Sequence, residues 1–169
     1  MKERGGVDGE ASASLRARGW IVKVTRDFLK CHRCGSLIYP DAAPGCFDAR
    51  VAIPVWDRKE IAWYAIEVKS SRTALPFACI DDKKREWSAA HTSDYSMWMW
   101  VCMGDRINSK KYPRVTYLFP LALFYQLENS SNRKSIAYDD AALLDYKLQW
   151  EGSGLWTIPE THQFLTSLA

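Results

Sequence analysis

The sequence lacks any run approaching the roughly 18 consecutive apolar residues that a membrane-spanning helix needs. It also lacks an apolar block of signal-peptide length in its opening stretch, MKERGGVDGEASASLRARGW. These absences predict a soluble, intracellular, cytoplasmic protein with no membrane association. There is no internal repeat and no low-complexity stretch. Large charge imbalance is missing too: 23 Lys and Arg stand against 20 Asp and Glu, a net charge of +3. The five cysteines are an odd count, spread over Cys31, Cys34, Cys46, Cys79 and Cys102, and do not read as a secreted disulfide framework. What is present is core material. Of the 169 residues, 47% are apolar and 13% aromatic, enough for one domain with a real core, taken as 1–169.

The expected elements follow from pattern and punctuation. Residues 1–8 look loose. A short helix is expected over Gly9–Arg18, stopped by Gly19. Trp20–Thr25 is rich in β-branched residues and reads as a strand. Residues 26–46, with Pro40, Pro44 and Gly45, form a long loop. A hairpin follows, with arms Phe47–Val55 and Ile61–Lys69. The second arm is nearly all apolar, as a strand covered on both faces would be, whereas Pro54 marks an edge or bulge in the first. Asp81 and Asp82 favour the start of a helix to His91. Strands are expected at Tyr95–Met103 and Arg114–Phe119, and helices near Leu121–Leu127 and Asp139–Leu148. The order implies an α/β domain, a central mixed β-sheet flanked by helices.

The hairpin carries the chemistry. If its turn is centred between Arg58 and Lys59, Asp48 falls opposite Lys69 and Arg50 opposite Glu67. Residues two apart on a strand share a face, as do opposed pairs. Asp48, Glu67 and Lys69 then converge at one end, provided the register does not slip by one. Two carboxylates there suit a hard divalent cation such as Mg²⁺. The metal would polarise a phosphate and acidify a water, and Lys69 would position that water or stabilise developing charge. Glu-x-Lys alone is also an ordinary solvated strand end. Its context gives it weight: a buried apolar strand precedes it and an acid lies at the matching point of the other arm.

The chain resembles the PD-(D/E)xK nucleases, and within them the Holliday junction resolvases of the archaeal and RecU types. The resemblance spans about Gly9 to Pro120. It rests on Glu10 in the first helix, Leu15 to Trp20, the strand at Asp48, Ile66-Glu67-Val68-Lys69, the Ser/Thr-rich segment after it, and Leu75 to Phe77. It implies a restriction-endonuclease-like core and a homodimeric Mg²⁺- or Mn²⁺-dependent endonuclease of DNA recombination and repair, cutting branched four-way DNA. Asp48 and Glu67 would be metal ligands, Lys69 the catalytic lysine, and Glu10 an assisting acid. An acid in a first helical turn also simply suits the helix dipole. Where such nucleases often carry a helix-borne Gln, Lys84 is the nearest match here. Asp41, after Pro40, is a rival to Asp48, but it lies outside the expected strand.

Arg58, Lys59, Arg72, Lys83, Lys84 and Arg85 are candidate phosphate contacts, or else solvated faces. Trp56, at the hairpin turn, is a candidate wedge. Trp63, Trp98 and Trp100 are expected in the core or a dimer interface. Cys31-x-x-Cys34, with Cys46, is an incomplete zinc motif, so structural Zn²⁺ is not favoured. Cys79 and Cys102 are expected as buried, reduced thiols. Two other readings stand beside the resolvase: another nuclease on the same fold, of restriction or repair type, and a zinc-containing DNA-binding module without catalysis.

Overall fold

The computed structural model describes residues 7–24, 47–55, 60–130 and 132–168. The expected loop over 26–46, with Cys31, Cys34, Asp41 and Cys46, lies outside the described residues, as do Trp56, Arg58 and Lys59 at the hairpin turn.

Helix α1 (Val7–Ala17) begins two residues earlier than expected and turns its buried Ala11, Ser14 and Leu15 inward. Strands β1 (Ile21–Val24), β2 (Ala49–Val55) and β3 (Glu60–Ser71) form an antiparallel meander. A short β4 (Ala74–Pro76) and a 3₁₀ turn at Phe77–Cys79 lead into α2 (Asp82–Ala90). The Asp81 side chain caps α2 by accepting the Lys84 backbone N–H at 2.9 Å, which satisfies one of the helix's orphan donors.

α2 is the crossover to β5 (Ser96–Met103), which pairs parallel to β3. Parallel neighbours need such a connection. β6 (Val115–Pro120) then pairs antiparallel to β5, giving a mixed five-stranded sheet of order β1-β2-β3-β5-β6. β3 is central. Its Tyr64 through Val68 are buried, although Ile61 and Trp63 near its start are exposed. Trp98 and Trp100 are in the core, as expected; Trp63 is not. Pro54 is tolerated because β1 pairs with β2 only as far as Ala52, leaving that end of β2 one neighbour.

Each face of the sheet has its own core. One contains Ala65, Met99, Val101 and Phe119 of the strands, packed with Trp87 of α2 and with Leu121 and Phe124 of α3 (Leu121–Ser130). The other contains Val51, Ile66, Trp100 and Leu118, covered by Ala11 and Leu15 of α1 and by the C-terminal segment. Past α3 the expectation fails in detail. β7 (Ser135–Ala137) pairs with β4. The helix expected over Asp139–Leu148 is a 3₁₀ segment, Ala141–Tyr146, which ends where Leu148 N–H donates to Thr116 C=O at 2.8 Å. β8 (Gln149–Gly152) and β9 (Leu155–Thr157) make a small hairpin, and α4 (Gln163–Thr166) closes the fold. Among the described residues no helix is long and apolar enough to cross a membrane. Cys102 is a buried free thiol and Cys79 a half-buried one.

Candidate active site

The hairpin register differs from the expected one. Ala49 pairs with Ile66 and Arg50 with Ala65, not with Glu67. One step beyond the Ala49–Ile66 pair, Asp48 comes opposite Glu67 rather than Lys69. The displacement is two residues on β3. With a side-chain period of two, an even displacement leaves every side chain on its expected face. The convergence of Asp48, Glu67 and Lys69 therefore survives the correction, and the two acids are closer than the first register would have put them.

Both acids lie on the α2 side of the sheet and both are buried, Glu67 fully. Asp48 Oδ2 accepts the Val68 backbone N–H at 2.9 Å, which fixes that carboxylate against β3. Glu67 Oε2 accepts a hydrogen bond from Lys84 Nζ, and Lys69 Nζ lies 3.9 Å from the same oxygen. Among the described residues no donor reaches the buried Glu67 Oε1. Burial is the main force on this acid. It disfavours the charged form, and the adjacent Asp48 adds to it through a hydrogen bond and charge repulsion. Lys84 opposes both, yet the Glu67 carboxyl is pushed up to about 8. Lys84 itself is held charged: burial works against its ammonium, but Glu67 and Asp48 outweigh that.

The helical phase of α2 explains why Lys84 arrives here. Trp87 and Ser88, its buried residues, lie three and four positions after Lys84. Residues so spaced share a helix face, so the lysine is aimed at the sheet. That spacing is readable in the sequence, which offers Lys84 both as a phosphate contact with its neighbours and as the nearest match to a helix-borne Gln. The neighbours behave differently. Arg85 ties α2 to α3 through both Glu128 oxygens, at 2.7 and 2.9 Å, and donates to the carbonyls of Ile80 and Phe77. It is committed to the fold. Lys83 is exposed, and Arg72 is exposed while paired with Asp105 at 2.6 Å.

Glu10 is not brought to the pair. α1 packs on the opposite face of the sheet, where Glu10 Oε2 is 3.0 Å from Arg114 Nη2 and accepts the Trp156 indole N–H at 3.2 Å. Arg114 also donates to Cys102 Sγ at 2.9 Å. Among the described residues no three His, Cys, Asp or Glu side chains gather as a metal-binding group. The pair alone can still serve a hard cation, because Mg²⁺ is commonly held by one or two carboxylates, with waters and substrate phosphate completing its shell. Compared with known proteins, the chain matches no family model and no curated sequence.

Proposed function

We propose that this chain is a divalent-cation-dependent DNA endonuclease with a restriction-endonuclease-like core, acting on four-way junctions. The observation that carries the reading is the pairing of Asp48 with the fully buried Glu67, beside Lys69 and Lys84, on one face of the central sheet. Burying two adjacent acids costs stability unless a proton or cation accompanies them. A buried pair that needs such a partner, with Glu67 Oε1 meeting no donor among the described residues, fits a cation site. The mixed, helix-flanked sheet agrees with the core that the resemblance implies.

In this reading Asp48 and Glu67 hold Mg²⁺ or Mn²⁺. Bound there, the metal would polarise the scissile phosphate and lower the pKa of a water. Asp48, pinned by the Val68 amide, keeps its carboxylate in place for binding. Lys69, a quarter exposed at its side chain, orients the attacking water and balances charge building on the phosphate. Glu10, engaged by Arg114 and Trp156, has no part in the ligand set. Lys83 and Arg72, both exposed, are the described residues best placed to meet the DNA backbone. Ile21, Ile61 and Trp63, exposed on one sheet face, are apolar surface that a homodimer would cover.

The test is Mg²⁺-dependent cutting of a synthetic four-way junction beside linear duplex of the same sequence. Preferential junction cutting, lost in Asp48→Asn and Glu67→Gln, is expected. Equal cutting of both substrates would point to a restriction or repair nuclease with the same catalytic residues. Stoichiometric zinc without Mg²⁺-dependent cutting would favour a non-catalytic DNA-binding module.

A further inference from the structure

We infer that Lys84 is a built-in stand-in for the cation, bound to Glu67 while the site holds no metal and displaced from it when a divalent ion enters. The inference rests on the metal-site reading above and adds to it a competition within the chain.

The first argument is charge balance. Two carboxylates, Asp48 and Glu67, face two ammonium groups, Lys69 and Lys84. With both acids ionised, as cation binding requires, the set is neutral without a metal, which limits its desolvation cost. Adding a divalent cation would leave two positive charges in excess beside a fully buried acid. One ammonium must then give up its place.

Geometry selects Lys84 as the one that leaves. It makes the direct contact with Glu67 Oε2, whereas Lys69 stays 3.9 Å away. Lys84 therefore holds one oxygen of the carboxylate whose other oxygen, Oε1, is open to a cation, and its ammonium faces the incoming charge across that group. Lys69 springs from β3 itself, two residues from Glu67, and can stay nearby without touching it. Lys84 reaches in from the first turn of α2, and its side chain keeps 19% of its surface in contact with solvent. A four-carbon stem lets the ammonium move by rotamer change alone. Asp81, exposed at the helix cap and already bonded to the Lys84 backbone, offers it an acidic neighbour outside the site.

The experiment measures Mn²⁺ binding to the full chain by isothermal titration calorimetry, without DNA. Lys84→Met should bind Mn²⁺ about tenfold more tightly than wild type, because it removes a charge competing at contact distance. Lys83→Met removes the same charge from an exposed neighbour and should leave the affinity unchanged. Affinity unchanged or weaker in Lys84→Met, or tightened equally in Lys83→Met, would overturn the proposal. A second readout needs no variant. Reductive dimethylation of wild-type Lys84, followed by mass spectrometry, should speed up severalfold when Mn²⁺ is added, since Glu67 no longer holds the amine. An unchanged rate would also overturn it. Glu67→Gln separates the two levels of the argument. If that variant binds Mn²⁺ as well as wild type, the metal-site reading itself has failed, and the stand-in role falls with it.

Discussion

Asp48 and Val68 are joined by a hydrogen bond of 2.9 Å that runs from the β3 backbone to a carboxylate just before the neighbouring strand β2. It ties the acid to the residue next to Glu67, so the end of the β2–β3 pairing holds the two acids together. Asp48→Ala should lower cutting by two orders of magnitude or more, about 3 kcal/mol of transition-state stabilisation. It should also cost on the order of 1 kcal/mol of stability through the orphaned amide. Single-turnover cleavage and urea unfolding would measure the two separately. Full activity in this variant would remove Asp48 from the site.

Glu67 sets a pH dependence on the metal-free protein. Its folded pKa, pushed up to about 8 by burial, lies above the 4.5 of a free glutamate. The folded state therefore keeps a proton that the unfolded chain gives up. The stability linked to this proton is full below about pH 4.5 and is lost as pH rises to about 8. Glu67→Gln cannot lose it. In the presence of EDTA, the stability of Glu67→Gln relative to wild type should rise steadily between those limits. A difference that stays flat with pH would contradict the assigned environment.

His162 produces the opposite dependence at the other end of the chain. It caps α4, its Nδ1 accepting the Phe164 N–H at 3.0 Å while Nε2 faces the Tyr146 carbonyl at 3.1 Å. Burial lowers its pKa below 6.5. The unfolded chain thus takes up the proton first, and stability is lost as pH falls below about 6.5. His162→Asn retains a capping oxygen without a titrating ring. Its stability between pH 7 and 5 should fall less steeply than that of wild type, as thermal melts at both pH values would show.

Gly104 ends β5 in a conformation that excludes a side chain. Its φ is +101°, and an added Cβ would lie 2.7 Å from the Pro113 carbonyl oxygen. Its N–H bonds to the Ser71 and Arg72 carbonyls, closing the end of β3 just past the site. Gly104→Ala should destabilise the fold by about 2 kcal/mol. Chemical denaturation would measure this, and a loss below a few tenths would show that the turn can relax.

Much of this arrangement was legible in the sequence. Alternation along β3 and the acid preceding β2 were enough to predict the shared face of Asp48, Glu67 and Lys69. The register was harder, because a hairpin turn's centre depends on its backbone conformation, which composition does not specify. The error was even, so the faces survived. Asp81 signalled the α2 cap. Lys84, the nearest match to a helix-borne Gln, could also have been placed by its spacing from Trp87 and Ser88, although a run of three basic residues reads first as a charged patch. The segment Ala141–Tyr146 has helical composition and is 3₁₀ because Leu148 is drawn onto β6, a tertiary contact with no local signal. Glu10 illustrates the same point. Its place in α1 was foreseeable, whereas its capture by Arg114, far along the chain, was not.

The crossover through α2 has a consequence for how the site can come apart. Asp48 and Glu67 meet through the β2–β3 hairpin, whereas Lys84 is brought to them by a separate element, the helix that links β3 to its parallel neighbour β5. Loosening α2 from the sheet would therefore strip Glu67 of its ammonium partner while leaving the two acids side by side.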